Sequence, residues 1–227
     1  TGATGGAEFQ VACVAGKYST AGDGACADIA AGKQGQSDDS ADGSTYVVAG
    51  ATHQVACVAG KYSTNGDGEC QDVAAGKVGR TANTATTGLA DSIHETAAVF
   101  EVGCFAGTYR TTSTGSANCI NVPVGKVGHS ATASSTTTHE TGAYQLADCP
   151  AGTFKSAAGT SVCADVAAGK VGRRAITATT SLADSIHETA AVFEVGCVPG
   201  SWRQASSGST NCVVVPAGSV GRTSADA

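Results

Sequence analysis

The sequence has no methionine and few large or charged side chains. Aromatic residues make up 5% and charged residues 14% of its 227 positions. A buried aromatic side chain removes a large apolar area from water, so this composition favours several small cores over one large core. The formal net charge is -6, and the lysines and arginines are scattered along the chain. A nucleic-acid partner needs a basic face, so the composition argues against one.

Several recognition signals are also missing. No apolar run is long enough to cross a bilayer, so no membrane segment is expected in these residues. The glycine-lysine segments lack the Walker pattern, which argues against phosphate binding, and we expect no cofactor and no enzyme activity. None of the five asparagines begins an N-x-[ST] sequon: Asn65, Asn83, Asn118, Asn121, Asn211.

Ten cysteines are the strongest compositional signal. An even number at regular intervals is typical of a disulfide framework formed in an oxidising compartment. Structural zinc is the alternative, but zinc sites usually contain close pairs such as C-x-x-C. No two cysteines lie that close here. The sequence therefore predicts disulfides and an extracellular or cell-surface location.

The cysteines mark five internal repeats. A first cysteine recurs every 44 to 48 residues, an aromatic follows five positions later, and a second cysteine closes each unit. The first cysteines are Cys13, Cys57, Cys104, Cys149 and Cys197, the aromatics Tyr18, Tyr62, Tyr109, Phe154 and Trp202, and the second cysteines Cys26, Cys70, Cys119, Cys163 and Cys212. We expect each aromatic to fill a small core beside its disulfide.

The fold expected is all-β and loop-rich, a linear array of five disulfide-pinned repeats, because segments such as QVACVAGKYST alternate in the manner of strands. The predicted divisions are 1–12, completing a preceding repeat, then 13–56, 57–103, 104–148, 149–196 and an incomplete 197–227. Units of about 45 residues bury too little surface to fold well alone. A disulfide closing a loop of roughly 15 residues adds about 3 kcal/mol, so we pair the two cysteines within each repeat and expect stacking to supply the rest.

One segment has two interpretations. In LADSIHETAAVF, Leu89, Ile93, Ala97 and Phe100 have helical spacing, and Ser92 with Glu95 is a candidate capping box. The matching segments of the first and third repeats are rich in glycine or hydroxyl residues. An extended conformation therefore fits the array better than a short helix.

A histidine recurs ten residues before three of the cysteines, each followed by Glu and Thr: His94, His139, His187. A repeated metal site or a Ser-His-Glu relay is one interpretation. Adjacent residues of a strand point to opposite faces, so His and Glu side by side chelate poorly. We expect instead a histidine that is hydrogen-bonded or solvated at a repeat junction, and no metal.

Two other segments have surface interpretations. Residues 65–69, NGDGE, resemble the start of a calcium loop, but the remaining ligand positions are missing and a hairpin turn is expected. Two hydroxyl-rich segments are either solvated loops or carriers of covalent O-linked glycans. The candidate sites are Thr111, Thr112, Ser134, Ser135, Thr136, Thr137 and Thr138.

The pattern C-x-[AP]-G-x-[YFW], best seen in CPAGTF at 149–154, resembles the opening module of tumour-necrosis-factor-receptor-like and ephrin-receptor-like cysteine-rich repeats. The resemblance covers about a third of each repeat and implies an extracellular protein in which the two cysteines of the module pair. Such proteins, found in protists and algae, commonly carry a further cysteine after the second one. Here that position holds Ile29, Val73, Val122, Val166 or Val215.

The expected function is structural. Joining residue 227 to residue 1 of another copy would separate Cys197 from the next Cys13 by about one period. Either copies associate head to tail or the sequence is a window of a longer repetitive polypeptide, and both explanations imply an extended array. A heterologous contact that does not close generates a filament. The leading hypothesis is a subunit of an extracellular filament or surface appendage, and the alternative is a receptor-like or adhesive ectodomain that binds a glycan or protein.

Overall fold

The computed structural model describes residues 9–21, 24–37, 46–64, 68–131, 137–177 and 179–223. Within these ranges the chain forms short strands and no α-helix, so the expected all-β, loop-rich class is confirmed. The strands are β1 (Lys17–Tyr18), β2 (Ala27–Asp28), β3 (Lys33–Gln36), β4 (His53–Ala56), β5 (Lys61–Tyr62), β6 (Gln71–Asp72), β7 (Lys77–Arg80), β8 (Phe100–Gly103), β9 (Thr108–Tyr109), β10 (Ile120–Asn121), β11 (Lys126–His129), β12 (Gln145–Asp148), β13 (Thr153–Phe154), β14 (Ala164–Asp165), β15 (Lys170–Arg173), β16 (Phe193–Gly196), β17 (Ser201–Trp202) and β18 (Val213–Val214).

Two kinds of antiparallel hairpin alternate along the chain. A short hairpin of two-residue strands accompanies each disulfide, as in β1–β2: its first strand lies within the disulfide loop and its second strand directly follows the second cysteine. A long hairpin of four-residue strands, as in β3–β4, then leads to the first cysteine of the next repeat. A glycine with positive φ turns the chain ahead of each short hairpin, for example Gly60 at 91°. Only glycine adopts that conformation without steric cost, which explains why it recurs.

Each repeat is closed by its own disulfide, as the spacing predicted. The five bonds are Cys13–Cys26, Cys57–Cys70, Cys104–Cys119, Cys149–Cys163 and Cys197–Cys212. Such a set indicates that the protein forms in an oxidising compartment.

The core of each repeat is aliphatic. The residue three places after the second cysteine is fully buried in the first four repeats: Ile29, Val73, Val122, Val166. The recurring aromatics are only half-buried, and Trp202 is exposed, because each lies on a two-residue strand at the surface of its hairpin. The described cores are therefore built on one aliphatic side chain per repeat rather than on the aromatic.

The segment with two interpretations forms one 3₁₀ turn followed by a strand. The turns are Leu89–Asp91 and Leu182–Asp184, and strands β8 and β16 follow them. Ser92 does not cap a helix; its hydroxyl donates to the Gly88 carbonyl. Among the described residues, no helix has the length and apolar character needed to span a membrane.

Candidate functional site at the junctions between repeats

Consecutive repeats meet at four junctions, which we name by the repeats that they join. At every junction a glycine amide of one repeat donates to the carbonyl of the residue that follows the aromatic in the next. Gly76 donates to Arg110 at 2.8 Å across junction 2–3, and Gly32 donates to Ser63 at 2.8 Å across junction 1–2. These main-chain bonds hold the array in a fixed register whatever the side chains are.

Backbones approach so closely at the junctions that side chains are excluded. A Cβ atom added at Gly60 would lie 2.2 Å from the carbonyl oxygen of Gly115 in the next repeat. One added at Gly152 would lie 2.1 Å from the carbonyl oxygen of Gly208. Glycine is therefore required by the packing at these positions as well as by the positive φ.

A buried cation fills junction 2–3. Arg110, 2% exposed, follows the aromatic of repeat 3, and its Nη1 donates to the carbonyls of Val73 and Ala74 in repeat 2 at 3.1 and 3.0 Å. Its Nη2 and Nε donate to carbonyls of its own disulfide loop, those of Gly115 at 2.9 Å and Ala117 at 2.7 Å. One guanidinium thus ties two repeats together through main-chain oxygens, using the rigid fork of donors that arginine offers.

Junctions 3–4 and 4–5 repeat this arrangement. Arg203 donates to Val166 and Ala167 of repeat 4 and, through Nε, to Thr210 of its own loop. Lys155 has one charged nitrogen, and it donates to the carbonyls of Val122 and Pro123 at 3.1 and 3.0 Å. We call junctions 2–3, 3–4 and 4–5 the cationic junctions.

Desolvation acts on all three cations. Burial lowers the pKa of the Arg110 and Arg203 guanidinium groups and of the Lys155 ammonium group. Among the described residues no carboxylate lies within ion-pair distance of any of the three. Charge-assisted hydrogen bonds from the carbonyl oxygens therefore take the place of a counter-ion.

The recurring histidine adds a second connection at each cationic junction, through its ring at junctions 3–4 and 4–5 and, at junction 2–3, through the His94 main-chain amide, which donates to the Asn118 side chain at 2.8 Å. The Nδ1 atom of His139 accepts the Gly128 amide at 3.0 Å, and its Nε2 lies 2.8 Å from the Ser161 carbonyl in repeat 4. His187 does the same between the Gly172 amide and the Thr210 carbonyl. An atom that accepts an N–H carries no proton, so the ring is neutral with its proton on Nε2. The sequence left open whether this junction histidine is hydrogen-bonded or solvated, and in the structure it is hydrogen-bonded.

The surroundings keep these rings neutral. Burial lowers the pKa of His94, and the charge of Arg110 lowers it further. Burial likewise lowers the pKa of His187, with Arg203 adding to the effect. For His139 burial is again the main cause; the Ser161 hydrogen bond opposes it, and the charge of Lys155 reinforces it. The cation and the neutral histidine are therefore electrostatically coupled within each junction.

The glutamate after each histidine has different partners. Glu95 accepts both the amide and the hydroxyl of Thr81 at 2.6 and 2.7 Å and pairs with Arg80 at 2.9 Å. The Thr81 hydrogen bonds are the main reason that the pKa of Glu95 is lowered. His94 and Glu95 therefore bind different partners and do not act together as a metal chelate or as a Ser-His-Glu relay. Within the described ranges, no group of three or more potential ligands could hold a metal ion.

Junction 1–2 uses other contacts. Ser63 stands where the cations stand, and its hydroxyl donates to the adjacent Thr64 carbonyl at 3.2 Å. Tyr46 takes the place of the histidine, because the Val47 amide donates to Gly35 as that of Glu95 does to Gly79. The buried Gln34 side chain accepts the Cys70 amide at 3.2 Å across the junction. We call this the serine junction.

The residue after the aromatic was not identified from the sequence. The five residues at this position are Ser19, Ser63, Arg110, Lys155 and Arg203, and their dissimilarity hides the role that they share. A signal was available in the cysteine spacing. The disulfide loops span 13, 13, 15, 14 and 15 positions in the same order, so serine accompanies the short loops and the cations accompany the long ones.

Repeat 5 presents one of these junction surfaces without a described neighbour. Within the described structure nothing lies within 4 Å of a Cβ added at Gly200, although the equivalent Gly60, Gly107 and Gly152 are covered by the next repeat. Beside Gly200 is an open cavity of about 770 Å³ lined by Trp202, Arg203 and Val215, among others.

The remaining candidate sites lie on the surface or outside the described residues. Thr111, Thr112 and Thr138 are exposed, and Thr137 is half-buried. Ser134, Ser135 and Thr136 lie outside the described ranges, as do residues 65–67 of the NGDGE segment.

Comparisons with known proteins add no assignment. The sequence matches no protein-family model, and a search of curated proteins finds no significant similarity. The arrangement of the junctions is therefore the basis for a functional proposal.

Proposed function

We propose that the protein is a structural subunit of an extracellular filament or surface appendage and that its copies assemble head to tail. The observation that carries the proposal is that one stacking contact recurs at all four junctions, where a glycine amide of one repeat donates to the carbonyl of the residue after the aromatic in the next. Within the described residues, nothing lies within 4 Å of a Cβ added at Gly200, the counterpart of Gly152, so this face is open to the same contact with a second copy.

Two further features support a structural role. Each unit is cross-linked covalently, and consecutive units are joined through main-chain hydrogen bonds and buried cations. A contact between different surfaces of two identical copies continues indefinitely unless its rotation closes a ring. Exposed hydroxyls such as those of Thr111 and Thr112 are the sites proposed for O-linked glycans.

The test is self-association of the purified, oxidised protein. Sedimentation velocity over rising concentration, with electron microscopy of the products, should show linear polymers one array wide. Compact monomers at every concentration would overturn the proposal.

A variant pair locates the contact. Gly200→Lys places a side chain where the internal junctions admit none and should abolish assembly. Gly115→Lys carries the same backbone strain, with φ at 76° against 83° for Gly200, but its Cβ points into open space. It should assemble like the parent protein, and equal loss in both variants would contradict this contact surface.

A further inference from the structure

The histidines of the cationic junctions share one environment, which excludes a proton from the same ring nitrogen in each. In every case the Nδ1 atom accepts a main-chain amide of the long hairpin in its own repeat. The donors are Gly79 at 3.0 Å, Gly128 at 3.0 Å and Gly172 at 3.1 Å, for His94, His139 and His187 in that order. A protonated imidazole has donors at both nitrogens, so protonation of the ring and this hydrogen bond exclude each other.

A proton added to one of these rings would also meet positive charge. The charged side chains that face the three rings across the junctions are, in chain order, Arg110, Lys155 and Arg203. The ring of His139 additionally faces the titratable His129 of its own hairpin. The glutamate after each ring binds the last residue of the first hairpin strand and the amide that follows it; these glutamates are Glu95, Glu140 and Glu188. Protonation of a closed junction therefore places a second charge beside a buried cation.

Separation of the two repeats would remove this cost. Water would reach both the ring and the cation, and the pKa of the ring would return toward its ordinary value of 6.5. In the closed junctions the pKa of each of the three rings is lowered, and burial is the largest cause. The open form of a junction therefore binds more protons than the closed form, and a fall in pH favours the open form.

The serine junction is held by groups that do not titrate in this range. The Gly32 amide donates to the Ser63 carbonyl, and the Cys70 amide donates to the Gln34 side chain. His53 of repeat 1 places its Nδ1 2.9 Å from the hydroxyl of the neighbouring Thr52, a group that accepts as well as donates. Protonation of this ring therefore breaks no bond of the kind found at the cationic junctions.

We infer that mild acid opens the cationic junctions while the serine junction and the disulfide-closed repeats stay folded, so that pH controls the stiffness of the array. The device lies within one chain and does not depend on assembly of copies.

Hydrogen exchange of the full, oxidised chain tests this selectivity. Glycine amides donate across the junctions, from Gly32 at the serine junction and from Gly76, Gly125 and Gly169 at the cationic junctions. After correction for the intrinsic effect of pH on exchange, protection of the last three should fall roughly tenfold between pH 7.5 and 5.5, as expected when opening exposes a ring with an ordinary pKa. Protection should not change at Gly32 or at Val99, whose amide is bonded within one hairpin.

A matched set of variants shows whether the histidines are responsible. Combined His94→Asn, His139→Asn and His187→Asn substitutions offer the glycine amides an acceptor at every pH and should preserve protection at pH 5.5, whereas His53→Asn should behave like the parent protein. Imidazole titration of the parent protein by NMR is a readout that needs no substitution, because protonation of each ring should coincide with loss of protection at the glycine of its own junction. Unchanged protection in the parent protein would overturn the inference. So would an equal loss at Gly32 and Val99, which would indicate unfolding of the whole chain, or an equal loss in the triple variant.

Discussion

The serine junction and the cationic junctions join the same kind of repeat with different chemistry. Both share the main-chain bond from a glycine to the residue after the aromatic. Only the cationic junctions add a buried charge, a neutral histidine and a longer disulfide loop. The main-chain hydrogen bond is therefore common to both kinds of junction, whereas the buried cation, the neutral histidine and the longer loop belong to the cationic junctions.

At junction 4–5 the cation and the histidine share an acceptor on the long loop. The carbonyl of Thr210 accepts both the Arg203 Nε and the His187 Nε2. It lies between Gly208 and Cys212, where the long loops carry two more residues than the short ones. A short loop lacks the shared acceptor, so a cation or a histidine alone would have fewer partners at a serine junction.

The largest expected effect separates the two kinds of junction. Arg110→Ala leaves the carbonyls of Val73 and Ala74 without this donor and should lower the free energy of unfolding by about 3 kcal/mol, because a buried group without a partner costs about 1–3 kcal/mol. Ser63→Ala at the equivalent position should cost about 1 kcal/mol or less, the value of one ordinary hydrogen bond. Denaturant unfolding without reductant measures both, and equal losses would contradict the assignment of the cation as the stronger connector.

A smaller effect is expected when the cation, the long loop and the histidine are all transferred to junction 1–2. Replacing residues 63–69 by the sequence of 110–118, together with Tyr46→His, should stabilise junction 1–2 by about 1–2 kcal/mol through hydrogen bonds to a charged group. Ser63→Arg alone should give no gain, since the short loop offers no counterpart of the Ala117 carbonyl. A gain from the single substitution would show that loop length is irrelevant.

The smallest expected effect is on the dependence of stability on pH. The pKa values of His94, His139 and His187 lie below the ordinary 6.5 in the folded protein, so the folded state binds fewer protons than the unfolded state below that pH. Stability should be complete above pH 6.5 and fall as the pH drops toward the folded pKa values. Unfolding midpoints between pH 7.5 and 5 should show this slope, and replacing all three histidines by asparagine should flatten it.

One variant sharpens the pH comparison. Arg110→Met removes a charge that lowers the pKa of His94, so that pKa should rise. His187 faces Arg203 instead and serves as an internal control. Imidazole titration by NMR distinguishes the two, and an equal change at both rings would contradict local coupling.

Much of the fold was predictable because its determinants are local. Cys104 and Cys119 lie 15 residues apart, and the glycines and alternating strands around them have direct sequence signatures. The recurring histidine was expected at a junction, either hydrogen-bonded or solvated, and the sequence did not decide between the two. Its ring partners were not predictable, because the Ser161 carbonyl lies 22 residues away in the next repeat.

The cation escaped prediction for a different reason. Residues that share a role in a repeat are usually found by their similarity, and serine, lysine and arginine are dissimilar. The carbonyls that Arg110 contacts lie 36 and 37 residues back along the chain and have no side-chain signature. Only the matching change in loop length links the residue to its surroundings.

The Arg110 guanidinium binds main-chain carbonyls of its own disulfide loop and makes no use of the side chains of that loop. Residues 111–118 are all exposed, although the carbonyls of Gly115 and Ala117 are fixed from within. Apart from Gly115, whose φ is positive, and Asn118, whose side chain accepts the His94 amide, the loop carries side chains on which this joint does not depend. Substitution or O-glycosylation of the other exposed side chains of this loop would therefore leave the hydrogen bonds between repeats intact.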